Sequence, residues 1–218
     1  MPTKIVEIFN HFGLTIHGQV KWNEEINSNK YGVYVVALTN DINKLITLDK
    51  ANFNDNAINN WIELIKTSGK ALLVDGELAT TDLIKKRLSQ FWFSDETILY
   101  IGKAGPTMSR TLKARVKEFY KTKLGCDKKH AGGHWLNTLQ NLSSLNIFYS
   151  ETNPDIEENM IKYFCEHVSD ESKSKLFDTI NCFPFANKEI NKSTRKKHGL
   201  SNQTINCGSN WKKLYIRD

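Results

Sequence analysis

The chain has 218 residues, of which 39% are hydrophobic and 25% charged, with 11 Phe, 7 Tyr and 5 Trp. A globular chain of this length buries ~70% of its unfolded surface without staples, so disorder, collagen-like repeats and coiled coil are excluded for most of it. No apolar run approaches the ~18 residues of a membrane span. The net charge of +6 is unevenly placed: nine Lys/Arg face two acids between Lys103 and His134, eight face two between Lys188 and Asp218, and the rest is acidic. Two basic segments on an acidic chain point to a localised polyanion-binding face.

In chain order, residues 4–13 read as a short amphipathic helix with Ile5, Ile8, Phe9 and Phe12 on one side, not a secretory signal. Ile16 to Trp22 alternates like a strand, and Gly32 to Leu38 is a continuous β-prone run, expected to be buried. Within 40–95, Asp55 is the expected cap of a helix to Lys66, Lys70 to Val74 a short strand closed by an Asp75-Gly76 turn, and Thr81 the cap of a helix to Trp92. Thr97 to Ile101 reads as a strand ended by Gly102, Arg110 to Lys123 as a basic helix, and His134 to Leu142 as another helix. Leu145 to Tyr149 is a further strand, and Pro154 opens a helix to about Val168 with Asp155, Glu157 and Glu158 in its first turn. After Asn187 the chain reads as a basic arm with little core of its own. The cysteines Cys126, Cys165, Cys182 and Cys207 form no CxxC pair, so free thiols in a reducing, cytoplasmic setting are expected. The element order gives an α+β sheet domain with insertions.

Five pieces carry chemistry: Gly32-Val33-Tyr34, then Tyr100-Ile101-Gly102-Lys103-Ala104, then Leu112-Lys113-Ala114-Arg115-Val116, then Glu157 to Ile161, then Pro184-Phe185-Ala186-Asn187. In this order they resemble the GIY-YIG nuclease family, over residues 30–38 and 96–187. The resemblance implies a small three-stranded antiparallel sheet flanked by helices, with an insertion at 40–95 between its first two strands. It divides the chain into a 1–30 extension, a 31–187 nuclease domain and a 188–218 basic arm.

The activity implied is Mg²⁺- (or Mn²⁺-) dependent hydrolysis of DNA phosphodiesters. Glu157 matches the family's metal-binding carboxylate, with Glu158 its neighbouring alternative; a lone carboxylate plus waters is a common Mg²⁺ set. Arg115, with Arg110 as competitor, matches the residue that holds the scissile phosphate. Tyr34 and Tyr100 match the two tyrosines, one of which orients or deprotonates the water. A phenol of pKa ~10 is a poor base at pH 7, so Lys103, Arg115 or the metal is expected to lower it. Asn187 matches the supporting terminal Asn. Where the family carries Tyr or His after the Arg, this chain has Phe119, and Tyr120, His130 or His134 is the expected replacement. Zinc at Cys126, His130 and His134 is disfavoured for want of a fourth ligand.

Lys113, Lys117, His130, His134, Arg195, Lys196 and Lys197 are the expected duplex-DNA contacts. A type II restriction endonuclease cutting a short specific site, as a homodimer on a palindrome, is the leading expectation. A mobile-element, repair or structure-selective nuclease, or a non-catalytic nucleic-acid-binding module, are the alternatives.

Overall fold

The computed structural model describes residues 2–105, 110–127 and 133–207. The elements run α1 (Ile5–His11), β1 (Gly18–Lys21), β2 (Gly32–Ala37), α2 (Asp55–Thr67), β3 (Leu73–Val74), β4 (Glu77–Leu78), α3 (Thr81–Ser89), β5 (Ile98–Ala104), α4 (Leu112–Tyr120), α5 (Gly133–Leu136), β6 (Asn146–Glu151), α6 (Ile156–His167), α7 (Asp170–Ser174) and β7 (Leu200–Ser201). The fold is α+β with two antiparallel sheets, ordered β1-β6-β2-β5 and β4-β3-β7. Among the described residues no helix is long and apolar enough to cross a membrane.

The all-buried Gly-Val-Tyr-Val-Val-Ala run of β2 forms a central strand because both sheet faces are covered. Tyr34 and Val36 point to one face with Tyr100, Ala104, Ile147 and Tyr149. Val33, Val35 and Ala37 point to the other with Ile98, Ile101 and Phe148. On the first face lie Trp61 and Ile65 of α2, Ile84 and Leu88 of α3, and Leu112, Val116 and Phe119 of α4. On the second lie Ile5, Ile8 and Phe9 of α1 and Met160, Ile161 and Phe164 of α6. Segment 40–95 therefore builds much of the core behind Tyr34 and Tyr100.

Several expectations are corrected. The main sheet has four strands rather than three, because β1 pairs with β6 from Gly18↔Tyr149 to Lys21↔Asn146. Gly102 does not end its strand; β5 continues to Ala104 along β2. Asn54, not Asp55, caps α2 by accepting the Ala57 N–H at 3.0 Å, and Thr80, not Thr81, caps α3. In both cases the residue one earlier has the extended backbone a cap needs. The helix expected from His134 to Leu142 is a single turn, Gly133–Leu136, followed by a 3₁₀ turn at Leu142–Ser144. Cys126 and Cys207 are joined in a disulfide, and only Cys165 and Cys182 are free. The arm is not coreless: Leu200 is buried, and β7 pairs with β3.

Strand β5 is an edge, and edge strands need cover. Residues 186–187 supply it. Ala186 N–H donates to Leu99 O at 2.8 Å. The Asn187 side chain accepts the Ile101 N–H at 2.9 Å and donates to the Ile101 carbonyl at 2.8 Å.

Candidate active site

The candidate residues come from four elements, β2, β5, α4 and α6, and meet beside β5. In the β2–β5 register Tyr34 stands opposite Gly102, two residues along from Tyr100. The tyrosine ring centres lie 5.9 Å apart. Phe119 closes the cluster from α4, stacked on Tyr100 at 5.2 Å and 6.0 Å from Tyr34. A Cβ on Gly102 would sit 2.5 Å from the Tyr100 ring and 2.7 Å from that of Tyr34, so no larger residue fits without displacing them.

Thr111 caps α4 by accepting the Ala114 N–H at 3.2 Å, and this fixes the turn that carries Arg115. The Arg115 side chain is only 16% exposed and lies 3.7 Å from Glu118. On α6, burial of Met160, Ile161 and Phe164 turns Glu157 toward β5, where one carboxylate oxygen lies 2.9 Å from Lys103 Nζ. The Glu157 side chain is 14% exposed against 43% for Lys103. The alternative carboxylate, Glu158, pairs with Lys162 at 2.8 Å.

Electrostatics tie the groups together. Burial pushes the Tyr34 phenol up to about 12; the Arg115 charge opposes this and Glu157 adds to it. Tyr100 is pushed well above its ordinary value by burial, then by Tyr34 and Glu157. Burial raises Glu157 above the usual carboxylate range despite Lys103 and Arg115. Among the protein's own groups, desolvation outweighs the Arg115 charge, so the side-chain cations do not bring either tyrosine below its ordinary value. The Tyr34 hydroxyl is buried, with Tyr100 and Arg115 close enough to act on it but no hydrogen bond of good geometry.

The resemblance assigns a divalent metal here. Among the described residues no three His, Cys, Asp or Glu groups converge as a metal cage. The donor set is the single Glu157 carboxylate, already facing a cation in Lys103. That fits a Mg²⁺-type ion held by one carboxylate and waters, and does not fit a structural zinc.

The expected DNA contacts divide. Lys113 and Lys117 are surface residues of α4 that share Glu25, at 3.2 and 3.0 Å, beside a pocket also lined by Asn23, Glu24 and Tyr120. Arg195 is exposed and paired with Glu189, and Lys197 is exposed. Lys196 is corrected: it is buried, its ammonium donating to Pro184 O at 2.8 Å and Phe185 O at 3.0 Å. His134 is corrected as well, being buried at 1% exposure. His130 lies outside the described residues. Tyr120 packs on Trp22 at 5.1 Å beside Phe119, and the pKa of its buried hydroxyl is raised by burial, by Glu24 and by Tyr34.

Reading from the sequence missed Lys188 and Gln203, which line a second pocket with Glu189, Arg195, Lys196 and His198. No motif marks them; only the charge run around Arg195 hints at the place. No family model, no curated protein and no solved structure matches this chain.

Proposed function

We propose that this protein is a divalent-metal-dependent DNA endonuclease, of the type II restriction kind, acting on a short duplex site as a homodimer. The observation that carries the reading is the convergence at one strand edge of Tyr34, Tyr100, Lys103, Arg115 and Glu157 from β2, β5, α4 and α6, with mutual charge effects.

Hydrolysis forms a bond from water oxygen to phosphorus and breaks the phosphorus–O3′ bond, with charge building on the phosphoryl oxygens. Arg115 is recessed and can grip two of those oxygens through parallel N–H donors. Lys103, at the solvent side of the carboxylate, adds a second cation that swings toward the phosphate. Tyr34 carries a hydroxyl with spare hydrogen-bonding capacity and positions the attacking water. With a pKa of about 12 it is a phenolate in only ~1 in 10⁵ molecules at pH 7; that fraction takes the water's proton, and the phenol otherwise orients the water. Glu157 would hold the metal, which supplies Lewis-acid stabilisation of the phosphate and of the leaving oxygen. Tyr100 and Phe119 wall the site, and Asn187 fixes the strand that bears Tyr100 and Lys103.

A second reading, a nucleic-acid-binding module without hydrolysis, draws support from the apolar Phe119 stacked on Tyr100 and the raised tyrosines. One experiment separates the two. Long natural duplex DNA is incubated with the protein in Mg²⁺ or in chelator. Discrete fragments that need Mg²⁺ support the endonuclease, whereas shifted but intact DNA supports the binding module.

A further inference from the structure

Directly after Asn187 the chain enters a pocket of about 370 Å³ lined by Lys188, Glu189, Arg195, Lys196, His198 and Gln203. Its volume lies in the range of small-ligand sites. Its hydrogen-bonding inventory does not balance. Leu200 N–H donates to His198 Nδ1 at 3.0 Å, so the neutral ring carries its proton on Nε2. That Nε2 faces the Gln203 amide at 3.3 Å, while Lys188 Nζ donates to Gln203 Oε1 at 3.4 Å. One amide oxygen is thus asked to serve two donors. If it accepts from Lys188, the amide NH₂ meets the His198 N–H donor to donor. If the amide turns over, the Lys188 ammonium faces an NH₂. Either way the pocket is one acceptor short.

Charge runs the same way. Burial pushes Lys188 down to about 8, with Arg195 adding to the shift and Glu189 opposing it. Glu189 is itself engaged by Arg195. Lys196 lies against the pocket, pushed down to about 7 by burial, with Asp178 the nearest carboxylate acting on it. Asp178 already accepts from the Asn181 and Lys197 backbones. Burial and then Lys188, Lys196, Arg195 and Arg87 hold His198 neutral, down to about 4.

We propose that this pocket binds a phosphate-type oxyanion, whose oxygens supply the acceptor that Lys188 and His198 Nε2 compete for and also accept from Arg195. The proposal does not depend on the protein being a nuclease. The phosphate has two possible sources, a DNA backbone or a small phosphate ester, and the shared chemistry is the claim.

The test is thermal unfolding of the full chain in inorganic phosphate against chloride at matched ionic strength. Phosphate at ~100 times its dissociation constant should raise the midpoint by several degrees. Gln203→Glu builds an acceptor into the pocket; it should raise the midpoint without phosphate and abolish the phosphate response. Lys188→Met, checked for native circular dichroism, should lose the response. Absence of a phosphate effect on the wild-type protein, or an effect that survives in both variants, overturns the proposal. Saturating duplex identifies the source: a backbone-phosphate site loses its response to free phosphate under duplex, and a small-ester site keeps it.

Discussion

Tyr34 lies directly opposite Gly102 across the β2–β5 pairing, and the missing side chain of Gly102 is what admits both tyrosine rings to one face. Gly102→Ala would bring a methyl group within 2.5 to 2.8 Å of Tyr100 and Tyr34 atoms. Rings packed this tightly move only at a cost of ~1–3 kcal/mol. The expected outcome is a folded protein with loosened tyrosines, at least tenfold less active on DNA, read by cleavage rate beside a urea unfolding curve. Wild-type cleavage from this variant would remove the tyrosine pair from the mechanism.

Asn187 joins the site only through Ile101. Its amide satisfies both backbone groups that the β5 edge turns outward at that residue. Asn187→Ala leaves a buried N–H and a buried carbonyl unpaired, so stability should fall by ~2–4 kcal/mol. Asn187→Asp keeps an acceptor for the N–H but has no donor for the carbonyl, and should also destabilise the fold at neutral pH. Urea midpoints of the two variants measure this.

Glu96 sits far from the candidate site and makes stability depend on pH. One oxygen accepts the Thr3 N–H at 3.0 Å and the other is buried without a partner. Burial, with Asp95 and Glu7 adding to it, pushes this carboxyl up to about 8. The folded pKa is above the unfolded one, so the protonated group's stability is full below about 4.5 and is lost as pH rises through about 8. The wild-type protein should lose on the order of 5 kcal/mol over that window. Glu96→Gln should flatten the profile and be the more stable protein at pH 8. Parallel profiles for the two proteins would contradict this.

The rate profile with pH follows from the same desolvation. If the Tyr34 phenolate takes the water's proton, the logarithm of the cleavage rate climbs with slope near one from pH 7 to ~10 without a plateau, because the phenol stays protonated until about 12. Tyr34→Phe should remove the alkaline climb.

The parts of the fold legible in the sequence were those with a strong local signal. The apolar run of β2, the Ile58-Trp61-Ile65 stripe of α2 and the acid-rich first turn of α6 each declare their element without help from the rest of the chain. What was not legible depends on distant partners. Strand β1 was itself legible in the alternation from Ile16 to Trp22, but its place beside β6 as a fourth strand of the main sheet was not. Leu200 and Ser201 form a strand only against β3. Lys196 looks like a surface cation in an Arg-Lys-Lys-His run, yet the carbonyls of Pro184 and Phe185 and the rings of Phe91 and Trp135 hold it inside. The Cys126–Cys207 pairing spans 81 residues and carries no spacing signal. The candidate site was legible as an ordered set of motifs, but its electrostatics were not: burial of Tyr34 and Tyr100 depends on α4 and on segment 40–95.

The most direct measurement is cleavage of one mapped duplex by wild-type protein, Arg115→Ala and Glu157→Gln, in Mg²⁺, with native circular dichroism and DNA binding measured for each. The account predicts specific, Mg²⁺-dependent cutting by the wild-type protein. It also predicts a fall of at least 10²-fold in both variants, as expected for lost charge stabilisation, with binding retained. Cleavage unchanged in both variants, or no cleavage by a wild-type protein that binds the duplex, would contradict it.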